Sequence, residues 1–253
     1  MKFSANLGFL WTDRDLPVAI RAAKAAGFDA VECHFPYDQP PDAVTEALAE
    51  TGLPMLGLNT VRGDLAAGDF GLSALPGRVD EAHAAIDQAI AYATQIGAAQ
   101  IHVMAGKAEG QAARAVYRDN LAYAADRAAE EGRGILIEPI NTRDVPGYHL
   151  HFAEDGAEIV SSLGRDNLRL MFDCYHTQIM QGDLIRRIQA LLPVIGHIQI
   201  AGVPDRGEPD QGEVAYDRLL PAIAQMGYEG YFGAEYRPAD SPEAGLGWLS
   251  AFR

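Results

Sequence analysis

Residues 134–141 read GILIEPIN. Ile135, Leu136 and Ile137 form an apolar run suited to the middle of a buried strand, and Pro139, lacking an N–H, stops any further ladder pairing. Between run and stop stands Glu138, so a strand driven into a core ends on a carboxylate. Side chains alternate along a strand, which places Leu136 and Glu138 on one face and Ile135 and Ile137 on the other. The same ending recurs downstream. In Leu168–Asp173 the residues Arg169, Met171 and Asp173 share a face; in Ile195–Ile200, His197 and Gln199 point opposite to Ile198 and Ile200; in Tyr231–Glu235, Tyr231, Gly233 and Glu235 share a face. Four consecutive strands therefore end with Glu138, Asp173, Gln199 and Glu235 pointing the same way.

Outward from these four, β-like runs alternate with helical patterns along the whole chain. The earlier runs are Phe3–Asn6, Ala30–Cys33, Pro54–Asn59 and Gln100–Met104. Between runs, Val79, Ala82, Ile86, Ala89, Ile90 and Ala93 make an apolar stripe at spacings of three and four, as do Leu16, Ile20 and Ala23. Gly27, Gly52 and Gly97 stand where helices should stop. Eight strands alternating with eight helices and no internal linker predict an α/β fold, a single-domain (β/α)8 TIM barrel over residues 1–253. A doubly wound open sheet is the runner-up, but no strand is followed by G-x-G-x-x-G, and AGKAEG at 105–110 only mimics a phosphate loop. The long connection Thr60–Gly77, with four glycines and several apolar residues, is expected to fold over the strand ends.

With 253 residues, 48% of them hydrophobic, the chain can bury a sizeable core. No run approaches the ~18 apolar residues of a membrane span, and the N-terminal stretch is a poor signal peptide. Cys33 and Cys174 read as reduced thiols of a cytoplasmic protein. The formal charge of −15 repels nucleic acid and anionic membranes, so neither is expected as a partner. It also repels small anions, so an acidic substrate would need cations placed locally. Whether the chain forms a homo-oligomer stays open.

In a barrel, the shared strand end is the C-terminal rim, where barrel enzymes place their active sites. Three inward carboxylates in a partly dry site need a compensating cation. Oxygen donors favour a hard divalent ion, Mg2+ first and Mn2+ as the alternative. His34, Asn59, His102 and His176 also follow or end strands, and His176 lies three residues beyond Asp173, within reach of the same ion or its substrate. His197, deeper in its strand, reads as a buried structural residue. Arg62, Lys107, Arg143, Arg206 and Arg237 all sit in loops after strands, on the active rim.

The segments VECHFPY (31–37), GDFGLSALPGR (68–78), HVMAG (102–106), EPINTRDVPGY (138–148), HIQIAGVPDRGEPDQGEVAY (197–216) and GAEYRP (233–238) make the chain resemble the hydroxypyruvate isomerases, within the xylose-isomerase-like barrels. The resemblance covers nearly the whole chain. It implies metal ligands at Glu138, Asp173, Gln199 and Glu235 and an acid/base pair at Glu138 and Glu235. The implied reaction interconverts hydroxypyruvate and 2-hydroxy-3-oxopropanoate (tartronate semialdehyde) through an enediolate, with a small hydroxy-oxo acid as substrate. Substrate contacts are expected from His176, Arg206, His102, Asn59 and Lys107. Arg206 is the first choice for the substrate carboxylate, because related epimerase sites hold substrate with this loop and arginine matches a carboxylate two-pronged. Enzymes acting on 2-oxotetronate and ketose 3-epimerases resemble the same barrel. DNA-repair nucleases on it use several zincs, many histidines and a basic face, which this chain lacks. A non-catalytic sugar-acid binder is the remaining class.

Overall fold

Each apolar run becomes a strand and each periodic stretch a helix. The computed structural model describes residues 1–253. The strands are β1 (Lys2–Asn6), β2 (Ala30–Glu32), β3 (Gly57–Asn59), β4 (Gln100–His102), β5 (Gly134–Ile137), β6 (Leu168–Asp173), β7 (Ile195–Ile200) and β8 (Tyr231–Ala234). All pair in parallel, in the order β2-β1-β8-β7-β6-β5-β4-β3. Three hydrogen bonds close the seam between β2 and β3: Val31 N to Pro54 O at 3.0 Å, Leu56 N to Val31 O at 2.8 Å and Cys33 N to Gly57 O at 3.0 Å. The result is the expected single (β/α)8 barrel.

The surrounding helices are α1 (Leu16–Ala25), α2 (Pro41–Thr51), α3 (Val79–Ile96), α4 (Gly110–Glu130), α5 (Ala153–Leu163), α6 (Cys174–Met180), α7 (Leu184–Leu191), α8 (Tyr216–Gln225) and α9 (Gly247–Ala251). Nine helices stand where eight were expected, because the β6–β7 connection carries both α6 and α7. The α3 stripe packs inward through Ala82, Ile86, Ala89, Ile90 and Ala93, but Val79, the first helical residue, stays exposed. Gly52 and Gly97 end α2 and α3 as read from sequence. Ile135 and Ile137 are fully buried under the helices. Several strands end earlier than the apolar runs do: Glu138 and Glu235 lie one residue beyond the last ladder position, where the chain leaves the sheet for the rim loops. No helix is long and apolar enough to cross a membrane.

The long 60–77 connection folds over the rim, and backbone contacts hold it there. Thr60 N donates to His102 O at 2.9 Å, Ser73 N to Met104 O at 3.3 Å and Ala74 N to Ala105 O at 2.7 Å. From α4, Asn120 Nδ2 donates to Ser73 O at 2.8 Å. Gly71, at φ +120°, lies so close to the chain after β4 that a Cβ would stand 2.6 Å from Gly106 N and 2.7 Å from Met104 O. Gly71→Ala should therefore destabilise the protein by about 1–3 kcal/mol and speed amide exchange across 60–77 while the strands keep their protection. Thermal melting and hydrogen exchange check this; parental exchange in the loop would show that it is held elsewhere.

Candidate active site

Strand alternation delivers the four rim residues from adjacent strands. Asp173 pairs in register with Gln199 across β6–β7, and Gln199 with Gly233 across β7–β8. Glu138 and Glu235 follow β5 and β8 directly, and all four side chains are buried. Ligand atoms of Glu138, Asp173, His176 and Glu235 lie within 4.8 Å of one another, so this buried group can hold a metal ion. Asp173 also caps α6: its Oδ1 accepts from Tyr175 N at 2.6 Å and His176 N at 3.3 Å, leaving Oδ2 for the cluster.

The unpaired atoms identify what the group lacks. Glu138 Oε1, Asp173 Oδ2 and Gln199 Oε1 are buried with no hydrogen-bond partner. An unsatisfied buried acceptor costs about 1–3 kcal/mol, and more for a charged one. The two carboxylate oxygens, in one cluster with Glu235, fit a hard divalent cation, and Gln199, in register with Asp173, offers a neutral oxygen donor. His176 is oriented differently. Its Nδ1 receives Asn141 N at 3.2 Å and Asn141 Nδ2 at 2.6 Å, so the proton of the neutral ring sits on Nε2. That Nε2 stands 3.6 Å from Glu138 Oε1 and 3.7 Å from Asp173 Oδ2, as a donor rather than a lone pair.

The two glutamates occupy opposite environments. Burial, then the neighbouring Glu235 and Asp173, push Glu138 well above the usual carboxylate range. Burial also acts to raise Glu235, but the Arg206 guanidinium, with help from His34, outweighs it and holds Glu235 down at about 2. Glu235 Oε1 accepts from Asn6 Nδ2 at 2.9 Å and bonds His34 Nε2 at 2.9 Å, while Oε2 pairs with Arg206 Nη2. Burial raises Asp173 to about 7, against the pull of Arg206. It also depresses His102 to about 3 and His176 far below the usual histidine range.

The rim opens into a cavity of about 660 Å³ that Asn59, Arg62, His102, His176 and Arg206 help to line. His102 lies 3.6 Å from Glu138 with both ring nitrogens unpartnered. Arg206 is enclosed, its guanidinium between Phe9 (4.6 Å) and Tyr175 (5.0 Å) and 3.6 Å from Asp173 Oδ2. It already serves as counter-charge to two cluster carboxylates, a role not foreseen. Lys107 does not join the cavity: the chain at 107 bridges to Tyr148 and the side chain is exposed. Arg143 is engaged with Tyr175 Oη and Pro204 O.

Sequence reasoning missed Glu32. This buried carboxylate ends β2 and accepts from Ser4 Oγ at 2.8 Å and Gln199 Nε2 at 2.8 Å, with His197 Nε2 at 3.2 Å. The signal was available in VECHFPY: Glu32, like Glu138, is a carboxylate ending an apolar run. His197 is buried against it, in keeping with a structural role.

A group whose folded pKa is raised contributes stability that is complete below its unfolded pKa, about 3.9 for Asp, and is lost as pH rises through the folded value. Chelator-treated protein should therefore melt at a lower temperature as pH rises through about 7, with Asp173 as one source. Asp173→Asn keeps the α6 cap and removes the charge, so it should flatten this fall and raise Tm at pH 8. Melting curves at pH 5 and pH 8 test it; a lower Tm than the parent at pH 8 contradicts it.

A family model described as a xylose isomerase-like TIM barrel matches residues 20–252. A 2-oxo-tetronate isomerase of Cupriavidus necator is 45% identical, over 99% of this chain and 98% of its own length. The hydroxypyruvate isomerase of Escherichia coli K12 is 37% identical over 100% of both chains. A crystal structure from Brucella melitensis, named as an AP endonuclease, family 2, superposes with a TM-score of 0.95 at 38% identity, covering 100% of this chain and 99% of that one. With a family model over most of its length and full-length relatives of this kind, the chain belongs to the xylose isomerase-like TIM barrel family, among relatives named hydroxypyruvate and 2-oxo-tetronate isomerases.

Proposed function

We propose that the chain is an isomerase interconverting hydroxypyruvate and 2-hydroxy-3-oxopropanoate by proton transfer through an enediolate. The observation that carries this reading is the pair of buried glutamates, Glu138 and Glu235, held in one cluster with opposite proton affinities. Such a pair suits the acid and base of one proton transfer. Glu138, Asp173, Gln199 and Glu235 would hold a divalent cation, Mg2+ or alternatively Mn2+, which when bound supplies positive charge opposite the enediolate oxygens. One glutamate removes a proton from C3 of hydroxypyruvate and the pair returns one to C2. The hydroxyl proton passes from O3 to O2, and the His176 Nε2–H would hold O2. Asn6 and His34 keep Glu235 oriented throughout.

The substrate carboxylate needs a cation inside an acidic protein. Arg206 approaches it from the Glu235 side, but its charge is shared with Glu235 and Asp173. Arg62 provides a second grip. Its half-buried guanidinium lies over Phe35 (4.6 Å) and Phe70 (5.6 Å) in the same cavity. Burial lowers its pKa with no acidic neighbour to offset the effect. His102 and Asn59 complete the pocket wall. A four-carbon 2-oxotetronate is the second reading, favoured by the 45% identity to an isomerase so named. Both readings fit a cytoplasmic enzyme whose cysteines, Cys33 and Cys174, are buried free thiols, and a net charge of −15 opposes nucleic acid as substrate.

Side-by-side assays on hydroxypyruvate, 2-oxotetronates and neutral ketoses test the substrate class. Arg206→Ala and Arg62→Ala should each weaken binding of the acids by about 1.5–3 kcal/mol, the scale of a hydrogen bond to a charged group, and affect neutral ketoses far less. Equal losses on both classes would make the arginines structural.

Turnover in D2O tests the chemistry. Proton transfer through the glutamates should place solvent deuterium on the product carbon, and Glu138→Gln or Glu235→Gln should each slow turnover by about 10²-fold or more. Product free of label after many turnovers, with an active double Gln variant, would remove the support for this pair.

A further inference from the structure

Gln199 offers an amide with two unlike ends, and only the oxygen end can serve a cation. Its surroundings pull the other way. Asp173 and Glu235 offer acceptor oxygens, and in a cation-free site these would draw the amide NH2 toward themselves. The structure gives the NH2 to a different acceptor: Nε2 donates to Glu32 Oε2 at 2.8 Å, and Oε1 stays buried without a partner.

Glu32 is equipped to win that competition. Its Oε1 is fixed by Ser4 Oγ at 2.8 Å and by His197 Nε2 at 3.2 Å, while Oε2 takes the Gln199 amide at 2.8 Å and, at a longer 3.5 Å, Asn6 Nδ2. The gap through which they meet exists because β8 carries glycine at this level. A Cβ on Gly233 would lie 2.3 Å from Glu32 Oε1, 2.7 Å from His197 Nε2 and 3.0 Å from Gln199 Cγ. Glu32 itself stands outside the group of side chains whose ligand atoms converge.

We propose that Glu32 is a positioning residue for cation binding: by holding the Gln199 amide nitrogen, it aims the amide oxygen at the carboxylate cluster. The inference rests on the reading that this cluster takes a divalent cation. Partners one step behind a metal ligand typically change metal affinity 10–100-fold when removed.

Mn2+ titration of chelator-stripped protein, by calorimetry or by the paramagnetic resonance of free Mn2+, tests it on five chains: the parent, Glu32→Gln, Glu32→Asp, Gln199→Ala and the Glu32→Gln/Gln199→Ala double variant. Glu32→Gln should weaken Mn2+ binding at least about tenfold. Glu32→Asp keeps the charge but is one methylene shorter, and should weaken it comparably. In the Gln199→Ala background the Glu32→Gln change should have almost no further effect, because nothing is left to orient. Parental affinity in Glu32→Gln, parental affinity in Glu32→Asp, or a loss that adds in full to that of Gln199→Ala would each overturn the proposal. Melting of the metal-free proteins identifies any variant that fails to fold. In that event the Gln199 side-chain amide signals of the parent decide, read by 15N NMR with and without Mg2+. An NH2 group protected from exchange in both states supports the proposal, and one released or reoriented by Mg2+ overturns it. A parent that takes up no Mn2+ would instead sink the cation reading, and this inference with it.

Discussion

Glu138, Asp173 and Glu235 bring three carboxylates into one buried patch, and their mutual repulsion governs what the surrounding residues do. In water such groups would spread apart; at the barrel rim three strands hold them together. The chain offsets part of the charge from within. Arg206 faces two of them, His34 and Asn6 satisfy one oxygen of Glu235, and the Asp173 cap on α6 absorbs one oxygen of Asp173. What is left over is concentrated on Glu138, whose proton affinity rises, and on three oxygens without partners. A site that unbalanced is suited to a cation and to moving protons.

The barrel makes this imbalance tolerable because it is rigid where the site is built. Hydrogen bonds around the sheet and across the β2–β3 seam fix the strand ends, so the carboxylates cannot relax by separating. Small residues let the second layer approach closely. Gly233 leaves room for Glu32 against His197 and Gln199, and Gly8 does the same for His34, where a Cβ would sit 2.1 Å from the ring. The 60–77 loop, held backbone to backbone, carries Arg62 and Phe70 to the cavity wall. Positioning here depends on absent side chains as much as on present ones.

Long-range charge and local charge act in opposite directions. The net charge of −15 disfavours any anion approaching the protein as a whole. Within the cavity, Arg62 and Arg206 place positive charge locally, each guanidinium lying over an aromatic ring, Phe35 or Phe9. Selectivity for a small acid would then come from a few fixed cations rather than from the overall field.

Sequence alone determined the barrel, because alternation along a strand and three- or four-residue spacing along a helix are local properties that survive without tertiary contacts. It also put Glu138, Asp173 and Glu235 together, with Gln199 in register beside Asp173, since parallel strands in register bring equivalent ends to one rim. The strand-end rule reached further than it was applied, and would have found Glu32 too. Only the tertiary structure decided the rest. That Lys107 turns outward, that Arg206 is taken up by the cluster, that the His176 proton sits on Nε2 and that Glu32 holds the Gln199 amide nitrogen all depend on loops and partners from distant parts of the chain. Asn6 lies 229 residues from Glu235 in sequence yet bonds it at 2.9 Å. Contacts of that kind leave no period or spacing in the sequence, because barrel closure creates them.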